Sequence, residues 1–478
     1  MKHLRIMLVT ILLGSMLFTP TATLAQTIGG PYKAGFQVQN LESTTATISL
    51  LFYDQSGATV ANVTGETING NASKTYYPLE NAPTNISGSF NGSVVISSDK
   101  QVAAIANVLT SAETGGASYS GFTGGATTVS LPLLFKNVDL GGGTFLNSWF
   151  NVQNAGSTTA TAFVTYVASP ASGGAAPGGC PENQSIAMGA AKTFAQADNT
   201  CLGNNFIGAA TITSTQPMVA TVMQIRNTSA DILAYNGFTS GDTSTTPVVP
   251  LVATNFFGSI TGVQIQNTGA TSTDITVAYS PSPTFPGNQC QETKTIAGGS
   301  SSTFFLPFPA ACGGPDPVYG GSPNNNGFVG SAKVVANTAN MPLVAIVNQI
   351  NTGDKDSSAY NAFNPAAGKS KVSLPLILRY GNLFTGIAVA NVGTQATNIS
   401  CTFTGSSYTV SANNVQPGGA LTASQGDASA SALGSTYVGG ATCTATGGDA
   451  KIVGVVNQLN ADLPGTSDAL LTYEGFGF

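Results

Sequence analysis

Charge is the scarcest commodity in this 478-residue sequence: only 8% of its residues are Asp, Glu, Lys or Arg, against about a quarter in an ordinary soluble domain. With 15 basic and 21 acidic side chains, nothing builds the basic surface that captures nucleic acid or an anionic membrane. Histidine occurs once, as His3, and tryptophan once, as Trp149. No Cys-x-x-Cys pair exists, which disfavours metal ligation by the six cysteines. Beyond the first residues there is no stretch long and apolar enough to span a bilayer, and no 3.6-residue apolar period of useful length.

The first residues are the exception. Lys2 and Arg5 form a basic start, Ile6–Phe18 is mostly apolar, and Ala22-Thr-Leu-Ala25 offers small residues for cleavage. Residues 1–25 therefore read as a secretory signal peptide rather than an uncleaved anchor, and the mature chain is expected outside the cell with no membrane insertion. Its net charge would be −8, since losing Lys2 and Arg5 leaves 13 basic against 21 acidic groups. Its only histidine would go too.

In place of charge the chain uses Gly, Ser, Thr, Asn and Ala, and it uses them periodically. Tyr119-Ser-Gly-Phe122 recurs as Tyr235-Asn-Gly-Phe238, Tyr360-Asn-Ala-Phe363 and Tyr473-Glu-Gly-Phe476, with tyrosines 116, 125 and 113 residues apart. A second landmark ends at Asn40, Asn154, Asn267 and Asn391, spaced 114, 113 and 124. Two landmarks sharing one period predict four tandem copies of one domain, each too long for a solenoid repeat and holding its own core. The expected boundaries are 26–125, 126–242, 243–368 and 369–478.

Within each copy the dominant period is two. Ala160–Val167 and Thr273–Tyr279 alternate apolar or aromatic residues with Thr, Asp or small ones, as do Ala46–Tyr53 and Asn398–Phe403. That is the mark of half-buried strands. Seven or so strands per copy predict an all-β fold of four tandem immunoglobulin-like β-sandwiches. Immunoglobulin ancestry is not implied, because Gly35, Gly262 and Gly386 stand where the second copy has Trp149.

The cysteines fall two per copy in the last three, which predicts disulfides Cys180–Cys201, Cys290–Cys312 and Cys401–Cys443 in an oxidising compartment. Each should contribute about 3–4 kcal/mol by the chain-entropy argument. The first two pairs flank a variable hairpin; the third aligns with the apolar Val277 and Ile212. Disulfides placed in two ways on one scaffold read as reinforcement.

Tyrosine and phenylalanine beside a turn could stack on a surface glycan. The plainer reading is that Gly or Asn supplies a positive φ where the chain turns while the aromatics close the sandwich. The landmark asparagines suit strand ends where amides satisfy backbone groups. Without histidine or free thiol, Ser-His and Cys-His catalysis is excluded. Asp354 and Asp356 are too few for calcium, and neither they nor Asp231 and Asp242 recur. No catalytic residue, metal or cofactor is expected.

This combination of asparagine-ended strand, Tyr-Asn-Gly-Phe turn and Leu-Pro-Leu run resembles a family of secreted tandem-repeat proteins of environmental bacteria. The resemblance covers nearly the whole mature chain. It implies β-sandwich arrays at the cell exterior and no activity.

Three apolar runs hold a proline: Val129–Leu134, Val248–Val252 and Val372–Ile377. Each lies between two copies. Either it closes the copy before it, leaving the fourth short of a strand, or it opens the copy after it, leaving the first with only Thr27–Tyr32 as a substitute. An unpaired edge invites β-strand addition from another molecule. The functional expectation is an extracellular structural protein that associates with copies of itself, head to tail, into a fibre or surface layer. Candidate contacts are Thr27, Ile28 and Tyr32 at one end, and Tyr473, Phe476 and Phe478 at the other. The alternative is a glycan- or surface-binding adhesin using loops at the sandwich ends.

Overall fold

The computed structural model describes residues 7–13, 30–229, 231–254, 259–282, 288–306, 328–351, 356–460, 468 and 470–478. The described chain is all-β, and its sheets are antiparallel. The first repeat supplies β1 (Met7–Leu13), β2 (Tyr32–Asn40), β3 (Ala46–Asp54), β4 (Thr59–Ile68), β5 (Ser73–Tyr76), β6 (Gly92–Ser98), β7 (Val102–Thr110) and β8 (Gly116–Ser120). They form two four-stranded sheets, β1-β6-β3-β4 and β5-β2-β7-β8.

In the second repeat come β9 (Ala126–Lys136), β10 (Val138–Gly141), β11 (Thr144–Asn154), β12 (Ala160–Ala168), β13 (Glu182–Ile186), β14 (Ala191–Ala195), β15 (Phe206–Arg226), β16 (Ile232–Asn236) and β17 (Phe238–Thr239). The long β15 pairs with β9 and β12 through its first half and with β11 and β16 through its second, so one strand serves both layers.

The third repeat has β18 (Val248–Thr254), β19 (Ser259–Asn267), β20 (Thr273–Pro281), β21 (Cys290–Ile296), β22 (Ser301–Leu306), β23 (Phe328–Ala336), β24 (Leu343–Asn351) and β25 (Ser357–Asn361). Its sheets, β18-β23-β20-β21 and β22-β19-β24-β25, repeat the first order strand for strand. The fourth has β26 (Lys371–Tyr380), β27 (Leu383–Asn391), β28 (Thr397–Phe403), β29 (Thr409–Val415), β30 (Ala420–Ser424), β31 (Thr436–Thr446), β32 (Ile452–Asn460), β33 (Leu470–Glu474) and β34 (Phe476–Gly477). A β26–β27 hairpin contact links its layers.

The period-two pattern explains which residues fill the cores. Ala46, Ile48, Leu50 and Phe52 on β3 are buried, as are Ile275, Val277 and Tyr279 on β20, while the intervening Thr or Ser face outward. Each side chain of this size buried on folding contributes about 1.5–3 kcal/mol.

The chain divides into two compact units, Met1–Gly241 and Asp242–Phe478, each holding two repeats. Inside the first unit the repeats join through apolar groups: Trp149, Met223, Ile225 and Ile232 belong to the same buried cluster as Val108 and Tyr119. The Tyr32 and Trp149 rings lie 5.6 Å apart. Inside the second unit Ala388 and Val455 of the fourth repeat likewise join the buried cluster of the third, and polar groups add to them. Gln349 and Asn457 exchange amide hydrogen bonds of 3.1 and 2.9 Å, and the Asp468 carboxylate accepts from the Ser357 N–H at 2.8 Å. One bond is common to both joints: a serine hydroxyl donates to a glycine carbonyl, Ser93 to Gly189 and Ser331 to Gly418.

Candidate functional site

The recurring motifs meet at the first strand of each repeat. β9 pairs with β15, β18 with β23 and β26 with β31, so each Leu-Pro-Leu run opens the repeat that follows it. The fourth repeat therefore has its strand. In every case the ladder skips two residues at the proline: Pro132-Leu133, Pro250-Leu251 and Pro375-Leu376 fall between paired positions. Proline has no N–H to give the ladder, and the strand bulges there. The following leucine is left with a buried N–H and C=O that need partners.

One hydroxyl satisfies both. Tyr235 donates to the Leu133 carbonyl at 2.8 Å and accepts from its N–H at 3.1 Å. Tyr473 does the same with Leu376 at 2.7 and 3.0 Å. Tyr360 donates to the Leu251 carbonyl and accepts from its N–H at 3.1 Å. All three rings are fully buried, and burial pushes the phenols far above their ordinary pKa. The phenylalanine of each motif then pairs with the outer edge of the same strand: Phe238 with Ser130, Phe363 with Val248 and Phe476 with Ser373.

The glycine of this motif has a different reason from the one its sequence implied. Neither Gly237 nor Gly475 has a positive φ. A Cβ on Gly237 would lie 2.6 Å from Val129 and 2.9 Å from Leu131; on Gly475, 2.6 Å from Val372 and 2.7 Å from Leu374. Close approach to the first strand, rather than a turn, excludes a side chain. The third repeat carries Ala362 there, and correspondingly smaller Pro247 and Val249 opposite.

The first repeat departs from this scheme. Met7–Leu13, inside the segment read as a signal peptide, occupies the place of β9, β18 and β26 and pairs with β6 from Met7↔Ser98 to Leu13↔Gly92 without a break. Tyr119 keeps the register of its counterparts, opposite Ala106 as Tyr360 is opposite Val347. Its ring is buried, 2% exposed, but its hydroxyl has no hydrogen-bond partner.

The landmark asparagines serve the opposite end of the sandwich. Asn267 donates to the Thr271 and Ile296 carbonyls at 2.7 and 3.0 Å and accepts from the Gly269 N–H at 3.0 Å. Asn40, Asn154 and Asn391 make the same three-way tie between a tight turn and the end of a neighbouring strand.

Cys180–Cys201 and Cys401–Cys443 are disulfides. The second joins directly opposed, buried positions on β28 and β31, where Val277 and Ile212 stand in other repeats. Cys312, expected partner of Cys290, lies outside the described residues, as do Thr27, Ile28 and Asp354. Of the other candidate contacts, Tyr32 and Tyr473 are core residues, Phe476 is half-buried and Phe478 is 40% exposed. Asp231 is buried against Arg226, with 3.2 Å between charged atoms. No group of three or more potential metal ligands occurs among the described residues, and none of their helices is long and apolar enough to cross a membrane.

The partnership of tyrosine with leucine was the feature sequence reasoning missed. Its signal was available: the two motifs occur together in three repeats, and the tyrosine occurs without its Leu-Pro-Leu run in the first. No protein-family model and no curated protein matches this chain.

Proposed function

We propose that this is a secreted, non-enzymatic structural protein whose sandwich repeats associate into a fibre or surface layer. The observation that carries the reading is the use made of the repeated motifs. The asparagine in all four repeats, and the tyrosine, phenylalanine and proline-bulged strand in the second to fourth, close their own sandwich, so what the motifs serve is architecture. The sparse charge supports it, because rows of Thr, Ser and Asn oppose close packing of copies less than like charges do. Outward-facing Phe163 and Val167 on β12 give one sheet face an apolar strip, and Phe478 gives the C-terminal end an exposed ring. These are the surfaces for contact between copies, in lateral and end-to-end arrangement respectively. Two disulfides fit assembly in an oxidising, extracellular compartment.

A second reading, a glycan-binding adhesin, has one specific observation in its favour. A cleft of about 760 Å³ in the first repeat is lined by Tyr77, Pro78 and Phe90 beside Lys33, Glu80 and Glu113. Tyr77 is 41% exposed and donates to Glu113 at 2.8 Å. Negative-stain microscopy of native secreted material separates the two. Filaments or sheets are expected; dispersed particles with a positive glycan-array signal that Tyr77→Ala abolishes would replace the first reading with the second.

A further inference from the structure

We propose that the first repeat is an acceptor for a Leu-Pro-Leu strand supplied by a different polypeptide, its place along β6 being opened when residues 1–25 are removed. This rests on the signal-peptide reading and goes beyond the structural role proposed above. Three observations lead to it.

The occupant of that place, β1, lies wholly upstream of the expected cleavage after Ala25. What remains ahead of β2 is residues 26–31. In the third repeat β18 takes seven residues and ends at Thr254, and β19 begins at Ser259. By count alone, residues 26–31 are too few for both a strand of that length and the spacing that follows it.

The acceptor also discriminates. β1 runs beside β6 without a bulge, so it offers Tyr119 no displaced N–H and C=O. The Tyr119 hydroxyl, buried and without a partner, keeps the register in which Tyr235, Tyr360 and Tyr473 each hold the leucine after a proline. A donor with that bulge would satisfy it, and main-chain pairing along β6 would supply the rest of the affinity. Gly121 sharpens the donor further. Glycine at this position accompanies Val-Ser-Leu-Pro-Leu in the second and fourth repeats, whereas alanine accompanies Pro-Val-Val-Pro-Leu in the third. The first repeat is thus shaped for the Val-x-Leu-Pro-Leu form.

Residues 1–478 of a second copy have no donor to spare: the proline-bulged strands at Pro132, Pro250 and Pro375 are each built into a repeat of their own chain, and a copy could lend one only by opening one of its own sandwiches. The partner is therefore a polypeptide with such a strand beyond its own needs.

The test uses the chain from Gln26 to Phe478 and the synthetic peptide of residues 126–136, with a control peptide lacking Pro132 and Leu133. The full peptide should bind one to one, at least tenfold more tightly than the control and than to the chain that keeps residues 1–25. Tyr119→Phe should weaken the full peptide about fivefold to tenfold and leave the control unchanged. A companion protein with residues 126–136 fused ahead of Gln26 should protect the Gly92–Ser98 amides from hydrogen exchange, so poor folding of the open form cannot mask the result. Failure of the fused strand to protect β6, or equal binding of both peptides, overturns the acceptor. N-terminal sequencing of the native protein separates the premises: a secreted chain retaining Met7–Leu13 also overturns it, while leaving the structural role standing.

Discussion

The first and third repeats have the same strand order and differ in what fills one place. In the third, β18 bulges at Pro250-Leu251 and Tyr360 holds the displaced leucine by both backbone groups. In the first, β1 pairs straight through and Tyr119 is buried without a hydrogen bond. The tyrosine is thus placed by its own hairpin, β7–β8 or β24–β25, whatever lies across the sandwich. A side chain can keep the geometry of a lock when the strand beside it offers nothing to hold. The unpartnered hydroxyl records which strand the place was shaped for.

The largest effect should come from a tie that both repeats share. Asn267→Ala leaves two carbonyls and one N–H without their amide, and should cost about 3 kcal/mol by urea unfolding. Asn40→Ala should cost a similar amount, since it ties the turn after β2 to the end of β4 in the same way. A clear difference between these two would mean that the first repeat is not held together as the third is.

The tyrosines should then separate them. Tyr360→Phe strands the Leu251 N–H and C=O inside the sandwich and should cost about 1–3 kcal/mol. In the chain that keeps residues 1–25, Tyr119→Phe removes only a hydroxyl that burial already penalises, so stability should hold or rise slightly. Equal losses at the two positions would break the comparison.

The glycine supplies a smaller but more exacting test. Gly475→Ala forces a methyl against Val372 and Leu374 and should cost about 1–2 kcal/mol. Pairing it with Leu374→Val reproduces the Ala362 and Val249 combination of the third repeat. The double variant should be more stable than the sum of the single losses by about 1 kcal/mol, the size expected for residues in contact. Strict additivity would show that the glycine is there for another reason.

Much of this architecture was legible because its causes are local. Alternation in Ala160–Val167 or Thr273–Tyr279 fixes a half-buried strand without reference to anything distant, and a 113–125-residue spacing of Tyr and Asn exposes the repeats. Ownership of the Leu-Pro-Leu runs was not legible, because a run between two copies has the same local character whichever sandwich takes it. Only the pairing with β15, β23 and β31 decides it. The role of Gly237 was misread for a related reason: a glycine beside asparagine looks like a turn residue, and the valine and leucine that exclude a side chain there are about 100 residues away in sequence. Placing Tyr473 among candidate surface contacts failed likewise, since its burial depends on Leu376 across the sandwich.

The smallest expected effect is the pH response of a surface pair in the first repeat that the third does not carry. On its surface, hydrogen bonds from Lys33 at 2.7 Å and from the Tyr77 hydroxyl at 2.8 Å hold the Glu113 carboxyl below its ordinary pKa. Partial burial, and then that same carboxylate, push Tyr77 up to about 12. The third repeat places the apolar Ile260 where Lys33 stands. The signs follow from the directions of the shifts. The Glu113 contribution is present above the unfolded carboxylate value and is lost as pH falls through the lower folded one. The Tyr77 contribution is present below the ordinary phenol value of 10.0 and fades as pH rises from there to about 12. Because Glu113 is open to solvent, salt should screen its contribution. NMR titration should therefore give Glu113 a midpoint below a free glutamate at low salt, moving upward as salt is added, and Lys33→Met should move it the same way. A midpoint that neither change alters would mean that the lysine and the carboxylate do not interact in solution, and the first repeat would lose its separate response to pH.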